Sequence, residues 1–163
     1  MAEFEYESLP TEEAVIFRID EKSDAFVFPS GKSYFKAFRL PKKEVPYRIH
    51  VKSFALGETI DKAHIFYPQV ALLDGSFTVA KQSDPGDFVV KKAGLKETAS
   101  ISWGLLMLKL EGSMLVDIPN AKYLVIYTTK ELLRKTSKHM AKQIQPIPAP
   151  IPGGVLIGAV PAG

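Results

Sequence analysis

Three histidines, a handful of aspartates beside turns and a single tryptophan are the residues whose types could do chemistry in this chain. His50, His64 and His139 stand far apart, in no metal-ligand spacing, and read as isolated imidazoles. The chain contains no Gly-x-Ser-x-Gly elbow, no phosphate-cradling glycine loop and no His-Glu-x-x-His pair. Glycoside hydrolysis needs two carboxyl groups at a set separation, and Asp74, Asp84, Asp87 and Asp117 are available for it. Each sits in or beside an expected turn, where an aspartate bonds its own backbone, so turn chemistry accounts for all four. The expectation is a protein that is not an enzyme, with no catalytic residue, no metal and no cofactor. A hydrolase remains as the minority reading.

Aromatic rings offer a different chemistry. Trp103, flanked by Ser102 and Gly104, together with Tyr67 and Tyr34, are the candidate ligand-binding residues, because flat rings on a sheet can stack on sugar rings. The competing role for rings on strands is to fill a core. A third feature is charge. Lys130 to Gln143 carries Arg134, Lys135, Lys138 and Lys142 against Glu131, a basic surface that a solvated helix end explains and that also suits anionic lipid or an acidic partner. Arg48, His50 and Lys52 form a second basic face.

Composition narrows the classes. With 163 residues, 46% hydrophobic and 24% charged, the chain is the size of one domain able to bury a core. It contains no cysteine, which removes disulfides, thiolate metal sites and cysteine nucleophiles. The net charge of +3 is spread rather than clustered, so nucleic acid is not an expected partner. No apolar run is long enough for a transmembrane segment. The acidic start, Met1 to Glu7, is unlike a signal peptide and fits either a cytosolic chain or one whose leader has been removed.

The elements that must position these residues read as short strands. Residues 1–13 form a flexible lead-in, 14–144 a β-sandwich domain with a terminal helix, and 145–163 a proline-rich tail whose last part either adds an edge strand or stays disordered. Tyr47 to Phe54 alternates cleanly, with Tyr47, Ile49, Val51 and Ser53 on one face and Arg48, His50 and Lys52 on the other. His64 to Val79 reads as a bent central strand, interrupted at Pro68, that enters a hairpin at Asp74-Gly75 and resumes at Phe77. Ile101 to Leu110 and Ser113 to Ile118 read as a hairpin around Glu111-Gly112. Tyr123 to Tyr127 is apolar on both faces and should be central. From Lys130 the apolar period becomes helical, with Thr128 and Glu131 spaced as a capping box. The prolines at 146, 148, 150 and 152 make an extended segment. About ten short strands with one late helix predict a mostly-β protein, an antiparallel β-sandwich, jelly-roll-like, with one C-terminal α-helix.

Several of these segments, in this order, resemble the maltose operon periplasmic protein family, MalM. Phe66-Tyr67-Pro68-Gln69-Val70-Ala71-Leu72-Leu73-Asp74 is similar to its stretch of phenylalanine, proline, valine and leucine-aspartate. Tyr123 to Leu133, with Thr128-Thr129, resembles its strand-to-helix passage, and Gly104 to Leu108 its glycine-aliphatic-methionine strand. Phe38 to Pro41 followed by Tyr47 to Val51 matches its proline-separated strand pair. The resemblance covers about residues 14–150. It implies a periplasmic protein of Gram-negative bacteria, made with a cleaved leader, associated with maltose and maltodextrin use and carrying no established catalytic motif. Two functions follow as expectations: an accessory to carbohydrate uptake that binds a maltodextrin or other glucan or a partner protein, or an envelope interaction module that docks on a protein or on anionic lipid through its basic helix and proline-rich tail.

Overall fold

The alternation read from the sequence resolves into two sheets that share one core. A computed structural model of the protein describes residues 1–55, 64–94 and 108–133, together with the backbone of a strand at 155–161. In chain order the elements are β1 (Glu7–Ser8), β2 (Val15–Phe17), β3 (Ala25–Phe28), β4 (Gly31–Tyr34), β5 (Lys36–Arg39) and β6 (Tyr47–Phe54). They continue with β7 (Gln69–Asp74), β8 (Val79–Gln82), β9 (Val89–Lys92), β10 (Leu108–Val116), β11 (Ala121–Tyr127), the short helix α1 (Lys130–Leu133) and β12 (Val155–Pro161). The first sheet has the order β1-β5-β11-β7-β8 and the second β2-β12-β6-β10-β9, while β3 and β4 form a separate hairpin. Every pairing is antiparallel except that of β1 with β5. The fold is the expected mostly-β antiparallel sandwich.

Between the sheets, Phe38, Val70, Leu72, Leu124 and Ile126 of the first meet Ile49, Val51, Leu110, Met114 and Val116 of the second in one cluster. The odd-numbered face of β6 supplies its share as the alternation requires, and Ser53 is buried with it. β7 and β11 are covered on both sides. Their other faces, Ala71, Leu73, Val125 and Tyr127, enter a second cluster with Phe28 and Phe35, roofed by the β3–β4 hairpin. The apolar run Tyr123 to Tyr127 thus has the central, doubly covered place that its pattern demands. The fold is therefore a sandwich with an aromatic third layer on the first sheet.

Four expectations about elements change. Residues 1–13 do not hang free: β1 adds to the edge of the first sheet, Leu9 is buried in the main core, and Phe4 and Tyr6 pack in the second cluster. A polar, acidic composition hid this because the three anchoring side chains are separated by charged residues. β12 is an interior strand between β2 and β6 rather than an edge strand. Glu111-Gly112 is no turn, since β10 runs through it unbroken against β6. The glycine is there for packing. A Cβ on Gly112 would lie 2.6 Å from the carbonyl oxygen of Asp87 and 2.6 Å from the Phe88 ring. Lastly, the helix is capped by Thr129, whose Oγ1 accepts from the Leu132 N–H at 3.2 Å. The Thr128 N–H instead donates to Ser33 Oγ at 3.1 Å and ties the end of β11 to the hairpin layer.

Candidate functional site: an aromatic shelf beside the Asp74 turn

Leaving β7, the chain turns through Gly75-Ser76-Phe77-Thr78 into β8, and one carboxylate organises the turn. Asp74 Oδ1 accepts from the Ser76 N–H at 2.8 Å, the Ser76 hydroxyl at 2.7 Å and the Thr78 N–H at 3.0 Å. The backbone closes the loop, with the Asp74 N–H donating to Thr78 O at 3.0 Å and the Phe77 N–H to Asp74 O at 3.1 Å. The Ser76 hydroxyl holds the Asp74 carboxyl below the ordinary value of 3.8, helped by the Thr78 and Ser76 N–H groups and by the Lys122 ammonium. Lys122 crosses the turn from β11, and a Cβ on Gly75 would lie 3.0 Å from its Nζ.

Asp-Gly leads one to expect the left-handed residue at Gly75 and the returning strand at Phe77. Instead Phe77 takes the left-handed conformation, with φ of 62°, and β8 begins at Val79. A side chain in that region costs about 1–2 kcal/mol. The cost is met where three donors converge on one carboxylate, and its result is the position of a ring. Phe77 stacks on Tyr123 at 4.8 Å between centroids and 17° between planes. Tyr6, carried in by the chain segment next to β1, lies 4.4 Å from Tyr123 and 5.8 Å from Phe77. All three rings are half-buried. Burial, and secondarily the neighbouring Tyr123, pushes the Tyr6 hydroxyl up to about 12, so it stays protonated and donates to Met1 O at 3.0 Å.

The shelf is a set of flat apolar faces rimmed by a carboxylate, an ammonium and the hydroxyls of Ser76 and Thr78, which lie 3.1 Å apart. Such a surface suits a ring-shaped polyol, whose C–H faces lie on aromatics while its hydroxyls bond the rim. Among the described residues the turn's donors all converge on Oδ1, which leaves Oδ2 able to accept a further hydrogen bond.

The residues nominated from sequence fall elsewhere. Tyr34 is exposed on β4, in the hairpin layer. Tyr67 packs against the inter-sheet core, edge-on to Phe88 at 6.3 Å, and its hydroxyl donates to the carbonyl of Pro85. No ring contact among the described residues joins Tyr34 to Tyr67. Trp103 lies outside the described residues, as do Arg134, Lys135, Lys138 and Lys142. Of the second basic face, Arg48 is exposed and His50 and Lys52 half-buried, on the outer side of the second sheet. There Glu111 binds Lys109 at 2.8 Å and lies 3.7 Å from Lys91.

A model of the maltose operon periplasmic protein precursor family, MalM, matches residues 30–146, which include β7, the Asp74 turn, β11 and α1. The chain belongs to the MalM family. As a MalM protein it is a periplasmic protein associated with the maltose operon. No helix among the described residues is long and apolar enough to cross a membrane. Neither a search of curated proteins nor one of solved structures returns a match.

Three of the residues that build the MalM protein's shelf were missed from sequence for separable reasons. The spacing Asp74-x-Ser76-x-Thr78 is a local signal, since a carboxylate can take donors two and four residues on. Phe77 had no signal of its own, because left-handed backbone is expected at glycine. Tyr6 and Tyr123 meet only through the pairings of β1, β5 and β11, which no local pattern encodes.

Proposed function

We propose that this MalM protein is a non-enzymatic accessory to maltose and maltodextrin uptake that binds a glucan on the shelf formed by Tyr6, Tyr123 and Phe77. The observation that carries the reading is Phe77 itself: a bulky ring held at φ of 62° beside the Asp74 carboxylate. Strain of this kind persists where its surroundings over-determine it and clusters where ligands bind. The pyranose faces stack on the three rings, Asp74 Oδ2 takes a pair of hydroxyls, and Lys122 takes a further one. Membership of a maltose-operon family supports an α-glucan as the ligand.

Titrating the protein with maltoheptaose in a calorimeter tests this. The expected result is saturable binding that Tyr123→Ala weakens by about tenfold or more, the equivalent of about 1.4 kcal/mol. No heat at millimolar sugar sinks the glucan reading, and binding untouched by Tyr123→Ala sinks the shelf. A chain that takes no glucan but sediments with anionic vesicles at low salt, and not at high salt, is instead an envelope-docking module, the reading drawn from the basic segment with Arg134, Lys135, Lys138 and Lys142 and from the proline-rich tail.

A further inference from the structure

The segment that delivers Tyr6 is bound to the domain in the manner of a docked peptide. β1 extends the first sheet by two residue pairs, Glu7 with Phe38 and Ser8 with Arg39, and the Leu9 N–H adds a bond to Arg39 O at 3.0 Å. Glu7 pairs with Lys36. Its anchoring side chains enter three places. Phe4 sits among Phe35 at 4.1 Å, Phe26 at 4.9 Å and Phe28 at 6.5 Å, Tyr6 lies on Tyr123, and Leu9 reaches the main core. Strand addition at a sheet edge, with spaced side chains in pockets, is a recurring mode of peptide recognition. What joins this segment to the rest is short and exposed. Residues 10–14 bend across from the edge of the first sheet to β2, at the edge of the second, and Glu12, Glu13 and Ala14 are open to solvent. Pro10, directly after Leu9, favours an extended chain at the point where the link leaves the groove.

We infer that residues 1–9 form an exchangeable arm, and that the aromatic groove along β5 accepts the same arm from a second copy of this chain. Exchange makes identical contacts in the closed monomer and in the dimer, so only the link at 10–14 and the protein concentration decide between them. The link must bend in the monomer and can straighten in the dimer. In a reciprocal exchange, where each of two copies gives one arm and takes one, every groove is filled and the assembly closes at two copies. Each copy then completes its partner's shelf with Tyr6.

The absence of cysteine makes the test direct. Ser8 and Arg39 are both exposed and are partners across the β1–β5 ladder. Ser8→Cys and Arg39→Cys variants of the 163-residue chain, unfolded, mixed, refolded at high concentration and oxidised, should give a crossed disulfide between the two. Its yield should rise with protein concentration and exceed by several-fold that from Ser8→Cys mixed with Lys92→Cys, whose thiol lies on β9 in the other sheet. A crossed yield no higher than the Lys92→Cys control overturns the inference, as does a dimer by light scattering whose chains show no Ser8→Cys to Arg39→Cys link. A Ser8→Cys, Arg39→Cys double variant keeps the proposal falsifiable if refolding is poor. Oxidised in native buffer, it should link within one chain in dilute solution and between chains when concentrated. Linkage within one chain at every concentration overturns it.

Discussion

Two aspartate turns flank β8, and they use the same chemistry to opposite ends. In the turn at Pro85–Asp87, the Asp87 carboxylate accepts from the Asp84 N–H at 2.7 Å and the Asp87 N–H returns to Asp84 O at 3.0 Å. No residue there takes a left-handed backbone, and the turn lays Phe88 and the Asp87 carbonyl onto Gly112 of β10. It serves packing between the sheets. In the turn at Asp74, the carboxylate gathers three donors, and the backbone it fixes puts a strained phenylalanine on an aromatic stack. A turn whose geometry is relaxed and whose contacts point inward is explained by the fold. One that holds a bulky residue in strain to place a half-open ring is not explained by packing alone, and the proposed glucan site rests on it.

The contrast can be broken from its structural side first. Gly112→Ala forces a Cβ into the Asp87 carbonyl and the Phe88 ring, neither of which can yield cheaply, and should cost about 3 kcal/mol of stability as overpacking. Urea unfolding measures it, and a change within error would mean that the Asp84 turn is not fixed against β10. Next comes the strain at Phe77. Ala and Gly both delete the ring, but only Gly relaxes at φ of 62°, so Phe77→Gly should be more stable than Phe77→Ala by on the order of 1 kcal/mol. Both should lose glucan binding alike. Equal stability of the two variants would remove the strain from the comparison, and with it the case for a site.

A smaller effect ties the Asp74 turn to pH. The Asp74 carboxyl is held below its ordinary value in the folded chain, chiefly by the Ser76 hydroxyl. Its contribution to stability is therefore fully present above the ordinary carboxylate range, at neutral pH, and is lost as pH falls through the folded value. Asp74→Asn, which cannot titrate, should show a shallower fall in urea midpoint between neutral and strongly acidic pH than the parent chain. Parallel falls would show that the turn's donors do not favour the charged form.

Much of the scaffold was legible without coordinates. The odd-even pattern of Tyr47–Phe54 gives β6 its register and its inward face, and the unbroken apolar run Tyr123–Tyr127 gives β11 its central place. Both are local patterns, one an alternation with a period of two and the other a continuous apolar run, and burial follows from them directly. The site was less so. The sequence pattern offers Trp103, Tyr67 and Tyr34 as rings on strands, yet Tyr67 is tied into the core by its hydroxyl and its contact with Phe88. A ring's exposure depends on what packs over it, and that is settled by segments distant in sequence. Gly112 shows the same limit from the other side. Next to a glutamate it looks like a turn, and its reason for being glycine is the Asp87 carbonyl and the Phe88 ring of the turn that precedes β9.

The sequence by itself determined that this chain is an antiparallel sandwich, that Asp74 marks a turn, and that the protein resembles the MalM family, because strand period, turn chemistry and segment order are written in near neighbours. Only the tertiary structure decided that the acidic first residues are an arm on β5, that the left-handed residue is Phe77 rather than Gly75, and that Tyr6, Tyr123 and Phe77 share one shelf. Those facts depend on non-local strand pairing and on a balance between strain and converging hydrogen bonds. Neither leaves a periodic trace in the chain.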